Sequence, residues 1–201
     1  MPDEPEPELP PYTYETGMWF VGNLNTGGDA RFVKGAFVNG TQFAFLADGQ
    51  KGLEIINISN SQSPALAYNY NTNGYAKEVF VDSLSSNKYA FISDEDKGLF
   101  ILNIANPSNP LLHTLIAYPG GVNSSYVKNG FLFVALKQGS VKIININSLP
   151  DSVYEVNTYS TQYAVDHIEI SDSIAYLLQK SFGLVGDKSK TTNPNFYRRC
   201  T

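Results

Sequence analysis

The stretch "DKGLFILNIANPSNP", residues 96–110, decides the fold. A charged turn ending in glycine is followed by an apolar run and then by Asn-Pro punctuation. The same order appears in "QKGLEIINISNSQSP", residues 50–64, and in "QGSVKIININSLPD", residues 138–151. Aligned on the asparagine inside each apolar run (Asn57, Asn103, Asn145), the copies are spaced 46 and 42 residues apart. A spacing of this kind marks a repeated structural unit.

Three more segments recur around each run. Upstream lies "QFAFLAD" (42–48), "KYAFISD" (88–94), "GFLFVAL" (130–136) and, in a fourth copy, "SIAYLLQ" (173–179). Before these come "ARFVKGAFV", "AKEVFVD", "NSSYVK" and "DHIEIS". Behind the Asn-Pro turns come "ALAYNYN", "LLHTLIAY" and "SVYEVNTYS". All are short, rich in Phe, Tyr, Ile and Val, and bounded by Gly, Asn, Asp and Ser, which is the signature of strands. No segment has helical spacing. Four short antiparallel strands per unit predict an all-β chain, a β-propeller of about four four-stranded blades. The expected blades cover about 29–73, 74–120, 121–161 and 162–201, the last joined by 17–28.

The turns have a mechanical reading. Asp48 and Asp94 are placed to accept from nearby backbone N–H groups, and Gly52 and Gly98 to adopt positive φ at the turn's exit. Proline ends the third strand because it brings no N–H to a ladder. With these residues in view, "YAFISDEDKGLFILNIANPSNP" and its partners resemble the LVIVD repeat family, whose repeats read approximately Y-A-Y-V-A-D, a short turn, then G-L-x-I-I-D-I-S-N-P-x-x-P. The resemblance covers residues 18 to about 185. It implies a β-propeller and, since such repeats occur mainly in bacterial and archaeal extracytoplasmic proteins, a location at the cell surface or in the periplasm. One departure is consistent: the family's third-strand aspartate is Asn57, Asn103 and Asn145 here. The function expected at that position is capping rather than charge.

At the N-terminus, "GMWFVGNLNTGG" (17–28) matches the outer strand and exit turn "ALAYNYNTNG" (65–74) without the strands that should precede it. An orphan outer strand is what a ring needs to complete its last blade and cover a sheet edge. At the other end, "GDKSKTTNPNFYRRCT" replaces the expected apolar run, so residues 186–201 form a divergent segment. A four-bladed ring and an incomplete arc with open blade edges both fit. The arc carries self-association through those edges, or truncation from a larger propeller, as its consequence.

Residues 1–16 begin with "MPDEPEPELPP", an acidic proline-rich run that reads as an extended tether. It resembles the segment following the lipidated cysteine of bacterial surface lipoproteins. An extracytoplasmic chain whose export signal lies outside this sequence is therefore expected, with a cytoplasmic protein as the alternative. The net charge of −5 argues against nucleic-acid binding. No apolar segment reaches the roughly 20 residues of a membrane helix. Cys200, the one cysteine, has no partner for an internal disulfide.

Catalytic and metal motifs are not found in the sequence, and no cofactor is expected. His113 and His167 lack metal-ligand spacing, and His113 reads as a structural residue of an outer strand. "DEDKG" (94–98) gathers three carboxylates, yet offers too few ligands for calcium and reads as a solvated turn. The sequons at Asn39, Asn57 and Asn123 are expected by chance in a chain this rich in Asn and Ser. Chemistry is sought instead where the repeats differ. The residues entering each innermost strand are Arg31, Lys77, Asn123 and Asp166, with His167 beside the last. This set mixes donors, acceptors and both charges, as a polar ligand pocket would, and Tyr75 and Tyr163 are near enough in sequence to stack on a sugar or peptide. The leading expectation is a non-enzymatic module for protein or glycan contact. The rival is a lactonase- or hydrolase-like propeller enzyme using Asp166 or His167.

Overall fold

A computed structural model describes residues 21–84, 87–179 and 183–187. The tether at 1–16, most of the divergent segment 186–201 and Cys200 lie outside these residues. The fold is all-β. Among the described residues, fifteen strands form four antiparallel sheets, each made by consecutive strands in order. Sheet 1 contains β1 (Phe32–Val38), β2 (Thr41–Ala47), β3 (Leu53–Asn57) and β4 (Ala65–Tyr70). Sheet 2 contains β5 (Ala76–Leu84), β6 (Asn87–Asp94), β7 (Gly98–Asn103) and β8 (Leu111–Ala117). Sheet 3 contains β9 (Val122–Lys128), β10 (Phe131–Leu136), β11 (Ser140–Asn145) and β12 (Tyr154–Ser160). Sheet 4 contains β13 (Val165–Ser171), β14 (Ile174–Gln179) and β15 (Gly183–Asp187). None of the described residues forms a helix long and apolar enough to cross a membrane.

Hairpin chemistry sets the strand register. Asn39-Gly40 and Asn129-Gly130 take positive φ at both residues, the conformation that lets a two-residue turn follow the strand twist. The irregularities repeat as faithfully as the strands. Ala67, His113 and Val156 are the extra residues where each outer strand bulges against its neighbour. A bulge sharpens local twist, so each sheet coils in the same way at the same place. His113 thereby meets Tyr89 edge-on, with ring centroids 6.4 Å apart, in the structural role expected of it.

The core lies between sheets. Phe43, Phe45, Leu53 and Ile55 of sheet 1 pack on Val79, Ala90, Ile92 and Leu102 of sheet 2. Tyr89, Phe91, Leu99 and Ile101 pack on Leu132, Val134 and Ile144 of sheet 3. Phe133, Ala135 and Val141 pack on Ile168, Ala175 and Leu177 of sheet 4. One face of each sheet meets the opposite face of the next, and each fully buried Leu, Ile or Phe contributes roughly 1.5–3 kcal/mol. The inner strands pack in the order β1, β5, β9, β13, while β13 and β1 have no comparable packing.

Three details differ from the expectations drawn from sequence. The turn at 94–98 is not uniformly solvated, because Asp94 is wholly buried, as is Asp48. Asp94 Oδ1 accepts from the backbone N–H groups of Asp96 and Lys97, both at 2.9 Å, and its carboxylate fills the space a Cβ on Gly74 would need. The fourth repeat's third strand forms as β15 despite losing its isoleucines, since a ladder needs only backbone pairing with β14. Of the segment 17–28, residues 17–20 lie outside the described residues. Residues 21–28 form no strand, and Gly22 lies against the Ser61–Gln62 turn of sheet 1. Sheet 4 accordingly has three strands among the described residues.

Candidate binding site at the strand entrances

Lys77, Asn123 and Asp166 occupy one structural position. Each is the extra residue of a bulge at the start of its inner strand: Lys77 between Ala76 and Glu78, Asn123 between Val122 and Ser124, Asp166 between Val165 and His167. Arg31 immediately precedes β1, and its N–H donates to Ala47 O at 2.8 Å. A bulge re-aims two successive side chains, so the position after each entry residue is drawn into the same region. Those next positions are Phe32, Glu78, Ser124 and His167. Reasoning on sequence picked out only the last of them; the adjacent-pair signal becomes visible once the bulges are known.

These side chains form a chain of contacts across three sheets. Lys77 Nζ donates to Asn123 Oδ1 at 2.9 Å and pairs with Glu95 at 3.1 Å. Asn123, only 2% exposed, passes the link onward from Nδ2 to Val165 O at 2.9 Å. His167 Nδ1 lies 3.3 Å from Glu78 Oε2 and 3.2 Å from Ser124 Oγ, joining sheet 4 to sheets 2 and 3. The hydrogen bond that His167 donates to Glu78 raises its pKa above the ordinary value, and burial opposes it. Glu95, a member of the "DEDKG" turn, also stands 3.9 Å from Lys137.

Arg31 stands apart from this chain. It pairs with Asp29 at 3.5 Å and lies 5.9 Å from the centre of the Tyr75 ring, whose hydroxyl hydrogen-bonds to Asp29. Asp166 is half-buried at its bulge. Thus Lys77, Asn123 and His167 are joined through neighbours, whereas Arg31 and Asp166 flank the two ends of the row. Chemically, the entrance offers an ammonium, a guanidinium, carboxylates and an imidazole, of which Arg31 and His167 keep 44% and 42% of their side-chain surface in solvent. Among the described residues no group of three or more His, Cys, Asp or Glu side chains is placed to hold a metal ion.

The third-strand asparagines settle into a separate role, away from the entrance. Asn57, Asn103 and Asn145 each accept through Oδ1 from the backbone N–H two residues on, at 2.9 Å in every case. An acceptor oxygen is all this turn uses, so asparagine serves where the family carries aspartate.

Comparison with solved structures places the fold. A computationally designed protein, Ika4, superposes with a TM-score of 0.63 at 11% identity, covering 86% of this chain and 98% of the designed one. A second designed protein, Ika8, gives a TM-score of 0.56 at 11% identity, covering 77% of this chain and 44% of the other. At this identity the likeness is one of fold. No curated protein matches the chain. The family model described as "LVIVD repeat" matches residues 27–72 and 73–116, which hold sheets 1 and 2. Residues 27–116 thus carry two LVIVD repeats, and the same turns, bulges and sheets continue through sheets 3 and 4 in a β-propeller architecture.

Proposed function

We propose that this chain is a non-enzymatic binding module that contacts a protein or glycan through the strand entrances, outside the cytoplasm. The observation that carries the reading is the convergence of non-repeating polar side chains on a repeating bulge. Lys77, Asn123 and Asp166 sit at one position in three successive repeats, yet differ in charge and hydrogen-bonding capacity. A scaffold that repeats its packing residues and varies its entrance residues is suited to recognition. Arg31 and His167 offer exposed donors, and Tyr75 supplies a half-buried aromatic face for a sugar ring or peptide. The extracytoplasmic assignment rests on the occurrence of LVIVD repeats in other proteins and on the acidic proline-rich start of the sequence.

The test is a binding screen of the purified chain against immobilised bacterial-envelope glycans and surface proteins, repeated with Arg31→Ala/Lys77→Ala. The double variant is expected to bind any hit at least tenfold more weakly. Unchanged affinity would remove the entrances as the site.

A further inference from the structure

Among the described residues, the two ends of the sheet row expose complementary faces. Positions that are sealed within the row are open at its ends. Val79 of sheet 2 is wholly buried against sheet 1, whereas its counterpart Val33 in sheet 1 is 60% exposed. Phe37, on the same face of β1, is 61% exposed. At the other end, Leu53 and Leu99 are fully buried, while their counterpart Leu184 is 63% exposed and its cross-strand partner Leu178 is 46% exposed. Each interior contact joins the Leu53/Leu99 face of one sheet to the Val79 face of the next. Sheet 4 therefore presents one half of that repeating contact, and sheet 1 presents the other half.

Charge follows the same logic along the axis. Lys34, Phe80, Tyr126 and Glu169 are equivalent residues of the four inner strands, set by their pairing with Phe45, Phe91, Phe133 and Tyr176. They form a connected line. Lys34 Nζ lies 5.2 Å from the centre of the Phe80 ring, and Phe80 and Tyr126 have centroids 4.9 Å apart. Burial and then the nearby Glu169 carboxylate raise the Tyr126 pKa. Continued by one more repeat, the line would bring Glu169 beside another Lys34. At the entrances, Asp166 would likewise meet another Arg31. Sheet 1 ends in Lys34 and Arg31, the latter beside Asp29, and sheet 4 in the carboxylates of Asp166 and Glu169.

We propose that a second copy of this chain docks head to tail on the first. The open face of sheet 4 in each copy meets the open face of sheet 1 in the other, so two rows of four sheets close one ring. A head-to-tail contact that closes gives a finite assembly and leaves no open sheet face. The row also spans only 44% of Ika8, a larger protein of the same fold, so the same arrangement of sheets accommodates a longer course.

The native mass of the 201-residue chain, measured under reducing conditions so that Cys200 cannot cross-link, tests this directly. The expected result is twice the 22.1-kDa chain mass. Arg31→Glu/Lys34→Glu alone and Asp166→Lys/Glu169→Lys alone should each pair at least tenfold more weakly. Mixing the two variants should restore the dimer, because both junctions in the mixed pair again match plus to minus. If either variant fails to fold, Leu184→Arg, at an exposed site, should fold and abolish pairing. A monomeric wild-type chain would overturn the proposal, as would a higher multiple, or folded variants that stay monomeric when mixed.

Discussion

Leu99 and Leu184 hold the same place in successive repeats, one residue past the turn glycine, yet Leu99 is wholly buried and Leu184 is 63% exposed. Their strands pair alike, Leu99 with Ser93 and Leu184 with Leu178. The difference is the neighbour: sheet 3 covers Leu99, and no described sheet covers Leu184. An identical local signal thus carries very different energetic weight in the middle of the row and at its end. In a repeat architecture stability resides in the interfaces between units as much as in the units themselves.

The sharpest way to break this comparison is to truncate both leucines. Leu99→Ala should cost about 2–5 kcal/mol in urea denaturation, since it removes buried contacts and leaves a cavity. Leu184→Ala, measured in the Arg31→Glu/Lys34→Glu background where the ends cannot pair, should stay within about 0.5 kcal/mol. Equal costs would show that the end sheet is covered after all.

The preceding glycines extend the contrast to the backbone. Gly98 has φ +124°, and a Cβ there would press on the backbone of Ile116 and Tyr118 of β8 and the residue beyond it. Gly183 has φ +79° with open space around it. Gly98→Ala should destabilise by on the order of 3 kcal/mol, combining strain with a backbone clash. Gly183→Ala should cost about 1 kcal/mol from conformation alone. Thermal melts of the two variants suffice to rank them.

Smaller effects separate capping from charge. Asn103→Ala should cost about 1 kcal/mol by releasing the Ala105 N–H from its acceptor. Asn103→Asp retains that acceptor and should change stability by under about 0.5 kcal/mol. A large loss on Asn103→Asp would mean that the amide group itself is needed.

The smallest expected effect is on the pH dependence of stability. Glu78 raises the His167 pKa, so the protonated imidazole is favoured in the folded chain. That stabilisation is fully present below the unfolded value of about 6.5. It fades as pH rises through the higher folded value. Because His167 is 42% exposed, solvent screens the pair and the effect is modest. Melting temperatures should fall slightly from about pH 5.5 to about pH 8.5 by this route. Glu78→Gln should flatten that part of the profile; an unaltered slope would exclude the pair as its source.

Much of the fold was legible because turn chemistry and alternation are local. "DKGLFILNIANPSNP" displays its glycine, apolar run and Asn-Pro stop in one reading, and β7 runs Gly98–Asn103 within it. β15 was harder to see, because backbone pairing persists where side-chain pattern has faded. Of the entrance residues, Lys77, Asn123 and His167 are joined through neighbours, whereas Arg31 and Asp166 stand at the two ends of the row. Glu78 and Ser124 escaped notice because a bulge reverses the inward and outward alternation from which strand faces are read.

The amino-acid sequence by itself determined the repeat, the strands and the turns, since each depends on residues within a few positions of one another. Only the tertiary structure decided which copy of a repeated residue is buried, that Asp48 and Asp94 lie inside, and that His167 reaches across to Glu78. Those outcomes depend on which sheet stands beside which, and a repeating sequence gives every unit nearly the same local instructions. What distinguishes the units is their place in the row.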